Sequence, residues 1–354
     1  MYVSVQLSDD HKSVVLLDQR RLPFHEEYIH FYSASEVAQA IRDMVVRGAP
    51  AIAVAAGFGI AVEAERLVNS GNYESYTKNL EKACDWLELS RPTAVNLSWA
   101  MKRMRKVLSS EWDSIESLKS AIVNEATRIA SEDVAVNYNI AKTGNSLIPS
   151  KANIMHICNT GALATVDWGT ALGVIRMAHM SGKDIHVWVC ETRPRLQGAK
   201  LTTFELQQQN IPMTLIVDSA AGYLMQMKKV DLCLAGADRV ACNGDTANKI
   251  GTYSVACLAK LHNIPFYIVT PLSSIDPDVL SGKEIQVEER SCEEVLRPSG
   301  ESLVAPDSTP VFNPAFDITP FSFISGFITE VGILQPPFTW QVVNKWKEKL
   351  QTTK

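Results

Sequence analysis

Two strings in this 354-residue chain set a reactive side chain directly behind an apolar run. Cys158-Asn159-Thr160-Gly161 closes the run 154–158, and Gly236-Ala237-Asp238-Arg239 follows the run 232–235. A thiol and a carboxyl are groups that move protons or attack electrophilic carbon. Cys158 reads in two ways. It is a small buried hydrophobe, the usual fate of a free cysteine, or a thiol whose pKa, about 8.5 when unperturbed, falls beside a glycine-containing helix start. Asp238 either caps or pairs with Arg239, or is a buried acid whose raised pKa suits proton donation. His156, inside its run, reads as a core histidine rather than a base.

Other strings could hold an anion. In Arg47-Gly48-Ala49-Pro50 the proline suits a first helical turn, and free backbone N–H groups lie beside an arginine. Arg91-Pro92-Thr93 repeats the arrangement of an arginine before a helix, and each string reads equally as a helix start with a solvated arginine. Asn243-Gly244-Asp245 is a turn, after which Asn248-Lys249 is expected to open a helix. Glu191-Thr192-Arg193, Asp218-Ser219, Arg195 and Gln197 complete the set. Cations and amides for phosphate, with carboxylates for hydroxyl protons, suit a phosphorylated polyol. The chain has no G-x-x-x-x-G-K-[ST] loop, no strand-linked G-x-G-x-x-G and no H-E-x-x-H, so neither a nucleotide loop nor a metal site is expected.

The elements that must position these groups fall into two halves. The beginning alternates weakly and predicts a small β-hairpin over residues 2–17. Ser33-Ala34-Ser35-Glu36 has the spacing of a capping box, and helical periodicity follows at 37–45, 76–89, 95–107 and 118–140. From about residue 148 the pattern changes. Apolar runs at 154–158, 185–190, 213–217, 232–235 and 266–269 are mostly continuous, as strands buried on both faces are. Helical stretches at 164–180, 202–209 and 248–262 lie between them. This order predicts an α/β fold: residues 1–148 as a mainly helical N-terminal domain with a small β-hairpin, then 149–354 as a Rossmann-like doubly wound parallel sheet, with the site between the two. Residues 297–314 read as a long surface loop.

Composition bounds the possibilities. Hydrophobic residues make up 46% and charged residues 21%, which excludes a disordered or collagenous chain. With 34 basic and 39 acidic residues the net charge is −5, so no global field draws nucleic acid or an anionic membrane. Seven cysteines, odd in number and without C-x-x-C, suit a reducing compartment better than a disulfide framework or a zinc site. Residues 49–62 lack polar side chains but fall short of the roughly 20 a membrane span needs. The N-terminus lacks the charge and apolar stretch of a signal peptide, so a cytoplasmic location is expected.

Taken in order, RGAPAI at 47–52, RPTAVNL at 91–97, CNTGALA at 158–164, ETRPRLQG at 191–198, GADRV at 236–240, NKIGT at 248–252 and NPAFD at 313–317 resemble the methylthioribose-1-phosphate isomerase family. That family belongs to a superfamily shared with regulatory subunits of a translation-initiation guanine-nucleotide exchange factor. The resemblance runs from about residue 10 to 340. It implies an aldose–ketose isomerase that converts 5-methylthioribose 1-phosphate to 5-methylthioribulose 1-phosphate in methionine salvage, with no cofactor and no metal. It implies Cys158 and Asp238 as the catalytic pair, and Arg47, Gly48, Ala49, Arg91, Gln197, Asn248 and Lys249 as substrate-binding residues. The implied partner is a small-molecule sugar phosphate, with neither nucleic acid nor membrane. The implied assembly is a homodimer in the cytoplasm, and also in the nucleus were the source eukaryotic. Two rivals carry different signatures. A non-enzymatic regulatory subunit is expected to have degraded Cys158 and Asp238 positions. An isomerase of ribose 1,5-bisphosphate needs charge where the methylthio group would meet apolar side chains such as Trp168 and Phe204. The residues leave open whether hydrogen moves as a proton through an enediol or as a hydride.

Overall fold

A computed structural model describes residues 2–336 apart from 70, 93, 299 and 301. By contacts the chain forms two compact units, one of residues 1–136 with 162–169, the other of 137–161 with the residues from 170 onward.

The first unit begins with strands β1 (Val5–Leu7), β2 (Val14–Leu17) and β3 (Tyr28–Phe31), paired antiparallel in that order. The expected hairpin is therefore a three-stranded sheet. Strand β3 escaped the sequence reading because its side chains are only half-buried or exposed, leaving no apolar run. Helices α1 (Ala34–Arg42), α2 (Ala49–Leu67), α3 (Tyr73–Glu88) and α4 (Val95–Leu108) follow, then the long α5 (Ile115–Asn145), whose residues from 137 onward belong to the second unit. Helix α1 starts as its spacing predicts. Ser33 Oγ accepts the Glu36 N–H at 3.2 Å, while Glu36 reaches back to the Tyr32 N–H at 2.6 Å. The apolar run is α2, buried along nearly its whole length, because a helix that is hydrophobic all round has no face for water. It packs against α1, α3 and α4 in one core with Ile41, Leu80, Leu97 and Met101.

The second unit holds β4 (Lys151–His156), α6 (Ala171–Met180), β5 (Asp184–Cys190), α7 (Thr203–Gln208), β6 (Met213–Ile216), α8 (Ala221–Gln226), β7 (Leu232–Ala235), β8 (Arg239–Val240), β9 (Thr246–Lys249), α9 (Thr252–Leu261), β10 (Phe266–Val269), α10 (Glu293–Leu296), β11 (Phe316–Thr319), β12 (Gly326–Thr329) and β13 (Gly332–Leu334). Seven strands form one sheet in the order β13-β12-β10-β7-β4-β5-β6, parallel except where β13 pairs antiparallel with β12. The chain winds outward from β4 through β5 to β6, then crosses back to place β7 on the other side of β4. That reversal is the topological switch point of a doubly wound sheet, outside whose carboxyl ends ligands bind. A small sheet, β11-β9-β8, follows β7.

Three local expectations are corrected. The helix expected at 164–180 begins only at Ala171. A short 3-10 turn (Ala162–Ala164) and positive φ at Trp168 and Gly169 (65° and 82°) interrupt the path before it. Asn248 and Lys249 do not open a helix. They end β9, and α9 starts at Thr252 after Gly251 turns the chain at φ 101°. Strand β6 is not buried on both faces, because it is the sheet edge, and Leu215 on it is 49% exposed. Residues 297–314 contain no helix or strand among those described. No helix among the described residues is long and apolar enough to cross a membrane.

Candidate active site

In the second unit, Cys158 leaves β4 and Asp238 leaves β7, the two strands that flank the switch point. The loops behind them touch. A Cβ on Gly236 would come within 2.8 Å of the Thr160 side-chain methyl, so only glycine allows the approach. Cys158 is 8% exposed and sits at φ 68°, a region that non-glycine residues rarely adopt. Its N–H donates to Thr192 Oγ1 at 2.8 Å, and its carbonyl accepts from Thr202 Oγ1 at 2.7 Å. Thr202 closes a π-helical turn (Gly198–Thr202), a distortion frequent at functional sites. A Cβ on Gly198 would collide with the Cys190 carbonyl. Asn159 Nδ2 donates to Glu205 Oε1 at 2.7 Å, and the Glu205 carboxyl lies against Gly161, where a side chain would stand.

Asp238 is half-buried, and its N–H donates to the Ala247 carbonyl at 2.9 Å. Arg239 forms an ion pair with Asp276 at 3.6 Å. Strands β8 and β9 pair Arg239 with Ala247, so the next step of the antiparallel register sets Asp238 beside Asn248. Asn248 Nδ2 donates to Thr252 Oγ1 at 2.9 Å. Lys249 is 5% exposed, with Nζ 5.3 Å from the centre of the Phe316 ring. Burial, then the charge of Arg290, holds its ammonium below the ordinary lysine range, against opposing pulls from Cys158, Asp238 and Glu294. These groups therefore share one electrostatic neighbourhood. Gln197 is also buried, with its Oε1 lacking a hydrogen-bond donor among the described residues, as a group prepared for a ligand would be.

The first unit carries the remaining sequence-predicted residues. Arg47 Nε donates to Gln19 Oε1 at 3.1 Å, and Gln19 Nε2 donates to the Leu163 carbonyl at 2.7 Å. Gly48 has φ 98°, and a Cβ there would lie 2.5 Å from the Ala164 backbone. Ala49 and Pro50 then begin α2, leaving early N–H groups for an anion. Arg91 is half-buried ahead of α4, its carbonyl accepting the Ala94 N–H at 3.0 Å; Thr93 of the same string lies outside the described residues.

Residues 45–336 match the model of the Initiation factor 2 subunit family. The chain belongs to this family. The chain is also similar to proteins with a stated chemistry. A methylthioribose-1-phosphate isomerase from Pseudothermotoga lettingae is 54% identical over 325 residues, 92% of this chain and 93% of its own length. The crystal structure of 5-methylthioribose 1-phosphate isomerase from Pyrococcus horikoshii OT3 superposes with a TM-score of 0.91 at 44% identity, covering 98% of this chain and 96% of that one. A structure described as translation initiation factor eIF-2B, subunit delta, from A. fulgidus gives 0.86 at 40% identity over 98% and 100%.

Several neighbours in this initiation-factor-family fold were not legible as functional. Glu205 is 1% exposed yet reads in sequence as one more charge on a helix. Glu294 is gripped by Arg290 and by Arg195, itself named among the anion-binding candidates, at 3.5 and 2.8 Å. Burial would raise the Glu294 carboxyl, but these arginines together with Asn313 pull it below its ordinary value. Asp317, opposite Asn248 in β11, accepts the N–H groups of Gly251 and Tyr253 at 2.7 and 3.0 Å, and burial pushes its pKa up to about 6. Only the NPAFD string hinted at it. Phe204 is buried in α7, and Trp168 is half-buried.

Proposed function

We propose that the chain is an aldose–ketose isomerase, converting 5-methylthioribose 1-phosphate to 5-methylthioribulose 1-phosphate in methionine salvage. The observation that carries this reading is the departure of Cys158 and Asp238 from β4 and β7, on either side of the switch point, beside a buried Lys249. Relatives at about half identity over nine-tenths of the chain bear the same activity in their names. The anomeric oxygen of this substrate carries phosphate, so the sugar cannot open as a free hemiacetal does. Asp238 gives a proton to the ring oxygen as its bond to C1 breaks. Hydrogen then moves from C2 to C1, and the C2 hydroxyl returns its proton to Asp238, leaving a ketone at C2. Cys158 lines the path of that hydrogen. Lys249, Asn248 and Gln197, with Arg47, Gly48, Ala49 and Arg91, bind the sugar phosphate through cationic, amide and backbone N–H groups. The substrate is a small molecule. Neither nucleic acid nor a membrane enters the reading, and we place the protein in the cytoplasm as a homodimer.

The name of the A. fulgidus relative favours a second reading, a regulatory subunit without catalysis. The intact thiol, carboxyl and lysine around the switch point weigh against it. The test is turnover of 5-methylthioribose 1-phosphate with chelator present, followed by NMR, with Cys158→Ala, Asp238→Asn and ribose 1,5-bisphosphate in parallel. Ketose from the methylthio sugar alone, reduced at least about 100-fold in both variants, is expected. A folded protein that turns over neither sugar would move the weight to the regulatory reading.

A further inference from the structure

Three neighbouring strand ends are tied together by side chains that the chemistry above leaves unused. Asp218 follows β6, Thr192 follows β5 and Cys158 follows β4. The Asp218 carboxylate accepts the Thr192 N–H through Oδ1 and the Arg193 N–H through Oδ2, both at 2.8 Å. Thr192 Oγ1 accepts the Cys158 N–H at 2.8 Å and donates its own proton to the Cys190 carbonyl at 3.0 Å. The hydroxyl thus both accepts and donates, and its residue is completely buried. Thr192 itself stands at φ 66°, beside Cys158 at 68°. A β-branched residue in that region is a true outlier. Such strain persists only where the surroundings over-determine it, and it gathers at functional sites. Here the surroundings are two carboxylate oxygens clamping consecutive N–H groups, and one hydroxyl passing the constraint to the next strand.

We propose that Asp218 and Thr192 are positioning residues that aim the Cys158 side chain through its backbone, by a relay running along the strand ends β6, β5 and β4. The proposal rests on Cys158 belonging to the proposed isomerase site. Its physical content is simple. The Cys158 N–H is buried, and at its left-handed φ it donates to Thr192 Oγ1. Replacing the hydroxyl by a methyl removes this hydrogen bond and the constraint it places on the residue's orientation, so the residue turns. The direction of Cα–Cβ, and with it Sγ, turns as well.

The test uses the full chain carrying Thr192→Val, Thr192→Ser, Asp218→Asn, Asp218→Ala, the double variant Thr192→Val/Asp218→Ala, and Cys158→Ala. The readouts are kcat and KM for 5-methylthioribose 1-phosphate, and the rate of iodoacetamide alkylation at Cys158, followed by peptide mass spectrometry because Cys292 is exposed. Thr192→Val is expected to lower kcat about 10- to 100-fold, the cost of a displacement on the order of 1 Å, with KM within about twofold. Its Cys158 alkylation rate is expected to change several-fold. Thr192→Ser, which keeps the acceptor, is expected to stay within about threefold of the parent. The double variant is expected to be no worse than Thr192→Val, because the two residues act in series. If Thr192→Val does not fold, Asp218→Asn, at a half-buried position, carries the test with an intermediate loss of kcat. Parental kcat and alkylation in folded Thr192→Val, equal losses in Thr192→Ser, or additive losses in the double variant would each overturn the relay. Full turnover by Cys158→Ala would instead overturn the reading beneath it, and the alkylation rate would still decide whether the relay exists.

Discussion

His156 stands two residues before Cys158, and its place beside a candidate thiol invites the role of base. Its surroundings deny that role. Nδ1 donates to the Leu234 carbonyl at 2.9 Å, which leaves Nε2 to face Thr160 Oγ1 at 3.4 Å, and burial pushes its pKa down to about 4. It is a neutral tie between β4 and β7. The folded pKa lies below the ordinary 6.5, so the folded state resists protonation. Stability from this group is therefore full above about pH 6.5 and is lost as pH falls towards 4. Asp317 works in the opposite sense. Its folded pKa of about 6 lies above the ordinary 3.8, so its contribution is full in acid and is lost as pH rises through 6. The two slopes oppose each other between about pH 4 and 6, so these two contributions partly cancel there. Melting temperatures measured across pH 3.5–7.5 are expected to rise more steeply with pH in Asp317→Asn and less steeply in His156→Gln. Parallel curves for all three proteins would contradict both assignments.

At the scale of elements, the junction of Gly48 with α2 is set by backbone and not by side chains. A Cβ at Gly48 would lie 2.5 Å from both Cα and O of Ala164, and φ 98° is itself costly for any other residue. No rotamer relieves a clash with main chain. Gly48→Ala is expected to destabilise by about 1–3 kcal/mol, seen as a lower urea midpoint with unchanged slope. An unchanged midpoint would show that the junction moves freely. The same element scale explains what could be read beforehand. Strands β7 and β10 were legible to the residue because central parallel strands are continuous apolar runs, and α2 was legible for the same reason. Strand β3 was not, since its half-wet face carries no such signal; the edge strand β6 was foreseen as the run 213–217, but its exposed face was not. Cys158 and Asp238 stood out because strand ends are where polar residues interrupt apolar runs. Glu205 did not; Thr192 and Asp218 were named only as polar strand ends, because their tie to Cys158 depends on lateral neighbours and on φ values that no single string encodes.

At the scale of the whole molecule, the sheet makes the floor beneath the switch point a place where charge is suppressed. His156 is neutral there, and burial pushes the Cys190 thiol up to about 12, with lesser contributions from Asp218 and Glu191. Burial raises Cys233 in the same direction, and burial holds Lys249 below its ordinary range. Ala235, at the end of β7, is wholly buried. An enediol route requires a base to take a proton from C2 and leaves charge spread over the sugar, which a poorly polar enclosure disfavours. A hydride passing from C2 to the cationic C1 left by ring opening forms no carbanion; it moves the positive charge to the C2 hydroxyl, and asks only that Asp238 exchange protons with the ring oxygen and that hydroxyl. The hydride route is therefore the one expected. Turnover in D2O is expected to yield ketose whose C1 methylene keeps two protium atoms, read by proton NMR before the product can exchange. Deuterium at C1, approaching one atom per turnover, would mean that the hydrogen leaves carbon as a proton and returns from solvent, and would assign Cys158 the work of a base.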